Sequence, residues 1–176
     1  AQAIVVNDSM LLTTAHAVSN ATLIQAKKHG KPNRTAAQIY HMDREINLAL
    51  LTVPTPGFFD DLDAATFSEN MISGGEVQSV RWKNRQLEVA QTRLGRVEVV
   101  ASRTGKVQHA VLKGTTDLSG ASSVDPVFMN KHLIGLTVYH AKGMVEILPA
   151  HTLTAYCDMA KSGDYRGFAT LIGLSY

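Results

Sequence analysis

GEVQSVRW, residues 75–82, and RQLEVAQTRLGRVEVVA, residues 85–101, decide the fold class. Val, Leu, Thr and Trp recur among polar neighbours without the three- and four-residue spacing of an amphipathic helix, and Lys83 and Asn84 interrupt the run as turn residues do. The same texture extends in both directions. Upstream lie AIVV (3–6), MLLTTA (10–15), ATLIQAK (21–27), AAQIYHM (36–42) and LALLTV (48–53); downstream lie GKVQHAVLK, PVFMN, HLIGLTVYHA and MVEILP. Gly, Asn, Asp and Lys separate them. Many short strands spaced by turn signals predict an all-β sandwich or barrel.

One segment reads as an ordinary helix. HTLTAYCDMAKSG, residues 151–163, places Leu153, Tyr156, Cys157 and Ala160 on one stripe, with Gly163 as its C-cap. A weaker turn or single helical coil is expected in FFDDLDAATF, where Pro54 and Pro56 end the preceding strand. With 176 residues and 45% hydrophobic content, the chain can bury a substantial core in one domain or two small ones. A formal net charge of +2, from 17 basic and 15 acidic side chains, is too small and too scattered to form a footprint for nucleic acid or an anionic membrane. The densest basic patch, KKHGK at 27–31, reads as a solvated hairpin turn. No run approaches 18 apolar residues, so no transmembrane segment is expected. Cys157 is the single cysteine; it has no intramolecular disulfide partner, and its place on the apolar stripe makes it a packed thiol. The opening AQAIVV lacks an initiator methionine and a targeting segment, and reads as the start of an excised domain or mature fragment.

Three further stretches carry candidate chemistry. TTAHAV puts His16 directly after an apolar strand, EINLALLTV puts Asn47 directly before another, and SGASSVDPVF sets two serines beside an acid and a proline. On composition alone the last is any surface turn, and His16 is equally a structural histidine, because catalytic triads are assembled in space and in several chain orders. His41, His109, His132, His140 and His151 show no metal-ligand spacing with an acid or cysteine, so no metal and no cofactor are expected.

Taken in order, these motifs resemble the protease domain of the trypsin-like superfamily, and most closely its HtrA (Deg) branch. LLTTAHAV is similar to the TxAHV-type segment bearing the catalytic histidine, NLALLTV to the DLALLKV-type strand opened by the catalytic aspartate, and ASSVDPVF to the GNSGGPVF-type loop bearing the nucleophile. HLIGLTVY resembles the strand lining the substrate cleft, and MVEILP the return strand before a C-terminal helix. The resemblance implies two packed antiparallel β-barrels with a site at their junction. It implies His16, Asn47 and Ser123 at the catalytic positions, oxyanion donors at Ala121 and Ser123, and Tyr139, His140 and Ala141 beside the cleft, where a substrate strand pairs by backbone hydrogen bonds. It further implies serine endopeptidase action on unfolded or extended polypeptides in the periplasm or another exported compartment, and allows a homo-oligomer. GDYRGFATLIG, residues 163–173, resembles a segment leading towards a PDZ domain, so the protease domain is expected to occupy 1–162 and a linker or further region to begin at 163.

The site departs from that pattern at several positions. Asn47 brings no negative charge; in a serine protease, replacing the triad aspartate by asparagine lowers turnover about 10^4-fold, roughly 5.5 kcal/mol of transition-state stabilisation. Asp43 and Glu45 lie nearby, and on an extended chain Glu45 shares a face with Asn47 about 6.6 Å away, so it replaces the missing acid only if the chain bends. Ala121, Val124 and Asp125 stand where glycines are expected, and valine is a poor tenant of a positive-φ position. Asp125 either approaches His16 and supports the imidazolium or opposes the oxyanion. An alternative register makes Ser122 the reactive hydroxyl, with Gly120 two residues before it. These departures set an inactive, peptide-binding or scaffold module beside the enzyme as the second reading.

Overall fold

The computed structural model describes residues 1–7, 9–70, 72–103, 107–120 and 124–168. Nearly every run read as a strand is one. β1 (Ile4–Asn7), β2 (Met10–Thr13), β3 (Ile24–Lys27), β4 (Arg34–Asp43) and β5 (Leu48–Thr52) form an N-terminal antiparallel sheet in the order β1-β2-β5-β4-β3. β6 (Glu76–Lys83), β7 (Gln86–Ala101), β8 (Gln108–Thr116), β9 (Asp125–Met129), β10 (His132–Ala141) and β11 (Met144–Pro149) form a closed barrel in the order β10-β11-β8-β7-β6-β9. A single helical turn, α1 (Ala15–Val18), follows β2, and α2 (Ala150–Ser162) follows β11. The architecture is all-β, two antiparallel layers and a C-terminal helix. The layers differ in closure. β9 seals the barrel by pairing with β6 at Gln78↔Phe128 and Ser79↔Val127, whereas the N-terminal sheet stays open between β1 and β3. A cavity of about 910 Å³ fills that opening, lined among others by Val5, Leu11, Ile24 and Phe58.

β2 and β5 show how the layers are joined. Leu48, Ala49, Leu50 and Leu51 are all buried, because successive side chains point to opposite faces and both faces are covered. Leu12, Leu48 and Leu50 face the barrel and pack with Leu133, Leu136, Leu148 and, from α2, Leu153 and Tyr156; Leu11, Ala49 and Leu51 pack within the N-terminal layer against Val18 and Phe58. The stripe read from the sequence of α2 is the stripe that is buried, and Gly163 caps the helix at φ +75. Close approach of β10 to β11 within the barrel needs Gly135, where an added Cβ would lie 2.4 Å from Leu148 O.

Candidate active site at the junction of the layers

His16 owes its place to an abrupt change of backbone. β2 ends at Thr13, Thr14 is still extended (φ −88, ψ 148), and the chain then turns helical for the four residues of α1. Amides at the start of such a turn lack partners within it. Asn47 supplies both: its carbonyl oxygen accepts from Ala15 N–H at 3.2 Å, and its side-chain Oδ1 accepts from His16 N–H at 2.9 Å. Residues 44–47 form a turn, and Asn47 has φ +59, a left-handed conformation that asparagine tolerates better than most residues. Asn47 therefore grips the backbone of His16. The His16 ring is exposed and takes no hydrogen bond among the described residues, so no described group selects its tautomer.

Neither nearby acid takes the place of the missing carboxylate. Asp43 Oδ1 accepts from Glu45 N–H at 2.7 Å and Ile46 N–H at 3.4 Å, and its Oδ2 accepts from the Tyr165 hydroxyl. Glu45 sends its carboxylate to Val107 N–H at 3.3 Å. The chain does bend at 44–47, but the bend turns Glu45 towards the barrel.

Ala121, Ser122 and Ser123, the expected nucleophile and oxyanion positions, lie outside the described residues; the two flanks are described. Gly120 has φ +76. Val124 is buried in the cluster with Leu12 and Leu133. Asp125, 1% exposed, opens β9 and turns its carboxylate into the barrel. Arg81 on β6 meets it with two bonds, Nε to Oδ1 at 3.0 Å and Nη2 to Oδ2 at 2.6 Å. The same guanidinium donates from Nη1 to the Ser119 carbonyl at 2.5 Å and sets Nη2 3.4 Å from His140 Nδ1. Gln2 joins from the N-terminal layer: its Nε2 donates to Asp125 Oδ1 at 3.1 Å and to the Val124 carbonyl at 3.3 Å, its Oε1 accepts from Trp82 N–H at 2.9 Å, and its carbonyl accepts from Thr13 Oγ1 at 2.8 Å. Asp125 thus supports neither the imidazolium nor an opposing charge in the open site; it belongs to a buried ion pair. Hydrogen bonding to Asp125 raises the pKa of Arg81, and burial followed by the Arg81 charge lowers that of His140, which favours a neutral imidazole beside the guanidinium.

Arg81 is the residue sequence reading missed. The alternation of β6 buries Val77 and Ser79 and, at the next inward position, Arg81; a cation at that parity requires a buried partner.

The cleft residues divide by face. β9 pairs with β10 only as far as Asp125↔Thr137, while β11 pairs with β10 on to Ala141↔Met144, leaving residues 138–141 with one unpaired edge among the described residues. His140 is buried and points its ring inward to Arg81. Tyr139, half-buried, stacks under the Arg103 guanidinium at 3.6 Å from the ring centroid, and Arg103 is held by Glu146 at 2.8 Å. Ala141 ends the strand. Cys157 is buried and its thiol is pushed up to about 11 by desolvation, as suits a packing residue. Among the described residues, no group of three or more His, Cys, Asp or Glu side chains is arranged to hold a metal, and no helix is long and apolar enough to cross a membrane.

An open N-terminal sheet and a closed six-stranded barrel, joined across a shared core and followed by a helix, make up the fold. Comparison with known proteins shows what the chain is similar to. A putative Do-like 13 protease of Arabidopsis thaliana is 23% identical over 178 residues, covering 98% of this chain and 36% of its own length. A serine protease DegP homologue of Plasmodium falciparum is also 23% identical over 178 residues, covering 98% of this chain and 20% of its own length. The Rv3671c protease of M. tuberculosis in its active form matches with a TM-score of 0.76 at 14% identity, over 96% of this chain and 74% of that one. The HtrA-type protease AlgW, solved with a decapeptide, matches with a TM-score of 0.72 at 15% identity, over 92% of this chain and 51% of that one. No family model matches the chain. The solved structures show that the chain has the trypsin-like fold, and along nearly its whole length it is similar in sequence to Do-like proteases. The chain spans only 20% to 36% of the length of the two curated relatives.

Proposed function

We propose that this domain takes an extended polypeptide along the free edge of β10 at residues 138–141 and hydrolyses it slowly through Ser123 and His16, as an HtrA-like serine endopeptidase working without a triad carboxylate. The observation that carries this reading is the tie made by Gln2. It binds Thr13, three residues before His16, and Asp125, two residues after Ser123, so that both candidate groups extend from one point at the junction. Attack by the serine on the scissile carbonyl, with His16 as the base, needs neither metal nor organic cofactor. The cost falls on the imidazolium, which has an amide at position 47 where a carboxylate would stabilise it.

Turnover of a permanently unfolded protein tests the reading. It is expected to be slow, insensitive to chelators, abolished in Ser123→Ala and retained in Ser122→Ala. Loss in Ser122→Ala with retention in Ser123→Ala would move the nucleophile to the other register. A second reading, an inactive peptide-binding module, is favoured by the absence of any described acid directed at His16. It predicts saturable peptide binding with no turnover in the parent.

Within the same proposal, residues 1–162 are the catalytic or binding domain and the segment from 163 leads to a further region, in an exported compartment and open to homo-oligomer formation. The Tyr165 ring, 4.1 Å from that of His41, fits a linker that leaves the domain after docking on it.

A further inference from the structure

We infer that Arg81 is a positioning residue: it fixes the separation and orientation of Ser119 and Asp125, the described residues flanking Ser122 and Ser123 in the chain, and with Gln2 ties Val124 and Asp125 to the end of β2 that leads to His16. An ion pair buried only for stability would need no particular third partner, and an apolar pair of similar volume would fill the same space at least as well. Here the third partner is specific. One planar guanidinium spends two donors on Asp125 and another on the carbonyl six residues earlier in the chain, and with its side chain 6% exposed it has little freedom to let go of either. Arginine suits this task because its donors diverge in a rigid fork; a lysine supplies the charge but not the fork. Gln2 completes the bracket from the other layer, holding Asp125 and the Val124 carbonyl while its own backbone is held by Thr13. Asp125, which stands where the resemblance expects a conformationally free glycine, acts as the anchor of the segment.

The test uses the whole chain in two variants, Arg81→Lys and the double apolar variant Arg81→Met with Asp125→Leu, and two readouts. Amide hydrogen exchange over residues 119–125 reports the bracket directly. The rate at which a fluorophosphonate labels Ser123 Oγ, with loss of fluoride, reports whether the segment presents its hydroxyl; this arm rests on the proposed function. In the double variant we expect unchanged exchange in β10 and β11, exchange over 119–125 faster by about tenfold or more, and a maximal labelling rate lower by about tenfold with half-saturating probe concentration unchanged. Arg81→Lys should fall between parent and double variant. A folded double variant with parental exchange over 119–125 would overturn the inference. If it fails to fold, parental exchange in folded Arg81→Lys overturns it equally. If the parent is not labelled at all, the hydrolytic reading fails, and the exchange measurement still decides the bracket.

Discussion

The surroundings of residue 47 and residue 125 have been altered in opposite senses. At 47 an amide stands where the HtrA pattern has a carboxylate, and the exposed His16 beside it loses a charge. At 125 a carboxylate stands where the pattern has a glycine, and the barrel buries it against Arg81. Similar chemistry in the two places therefore has different consequences. Asn47 is held by two neutral amide bonds from Ala15 and His16, each contributing about 0.5–1.5 kcal/mol. Asp125 is held by partners 44 and 123 residues away, in a setting where an unpaired charge is costly. Position 47 carries no charge and holds the backbone of Ala15 and His16; position 125 carries a charge that is buried against Arg81.

The largest expected effect follows from that asymmetry. Arg81→Met should lower stability in urea by about 3–5 kcal/mol, because it strands a buried carboxylate, whereas Asn47→Ala should cost about 1–3 kcal/mol, from one side-chain hydrogen bond and an alanine placed at positive φ. Equal losses would erase the comparison. Gln2→Ala should cost about 2 kcal/mol, since one of its bonds reaches a charged group; a loss near zero would show that the two layers do not depend on it.

A smaller effect is pH-dependent. His140 and His109 both have pKa values depressed below the ordinary 6.5, in each case by burial first, with the Arg81 charge adding to it at His140. The folded state thus favours neutral imidazole. This contribution is fully present above pH about 6.5 and is lost as the pH falls through the depressed folded values. Thermal unfolding between pH 7.5 and 5 should show a falling midpoint, and His140→Phe should flatten part of that slope. A midpoint that rises on acidification would contradict the placement of His140. The smallest effect concerns Cys157, whose thiol should react with a disulfide reagent only upon unfolding, a control that the shared core survives each variant.

Much of this was legible in the chain. Alternating β-branched runs gave the strands, the stripe from Leu153 to Ala160 gave α2 and its glycine cap, and His16 and Asn47 lie, as read, just after one strand and just before another. Less legible was everything that depends on pairing across distance. Whether a sheet closes is decided by which edges meet, and no local pattern distinguishes β9, which seals the barrel, from β3, which leaves the N-terminal layer open. Glu45 looked close to Asn47 on an extended strand, but the strand begins only at Leu48, and the turn before it sends the carboxylate to Val107. For Asp125 the sequence offered two roles in the open site, and the structure gives it neither, because its partner is Arg81 on another strand. The one available signal was parity, since Arg81 follows Val77 and Ser79 on the buried face of β6.

The central claim is that a missing charge at position 47 limits this site while the segment carrying the serine remains set by Arg81. Its most direct test is hydrolysis of an activated ester by the parent and by Asn47→Asp, with folding verified for both. An aspartate there can keep the bond to His16 N–H and bring the missing charge to the histidine, and the account predicts a rise of at least about 10^2-fold, towards the roughly 10^4-fold attributed to this residue in serine proteases. A folded Asn47→Asp protein that hydrolyses the ester no faster than the parent would contradict the account, because the fault would then lie in the serine segment itself.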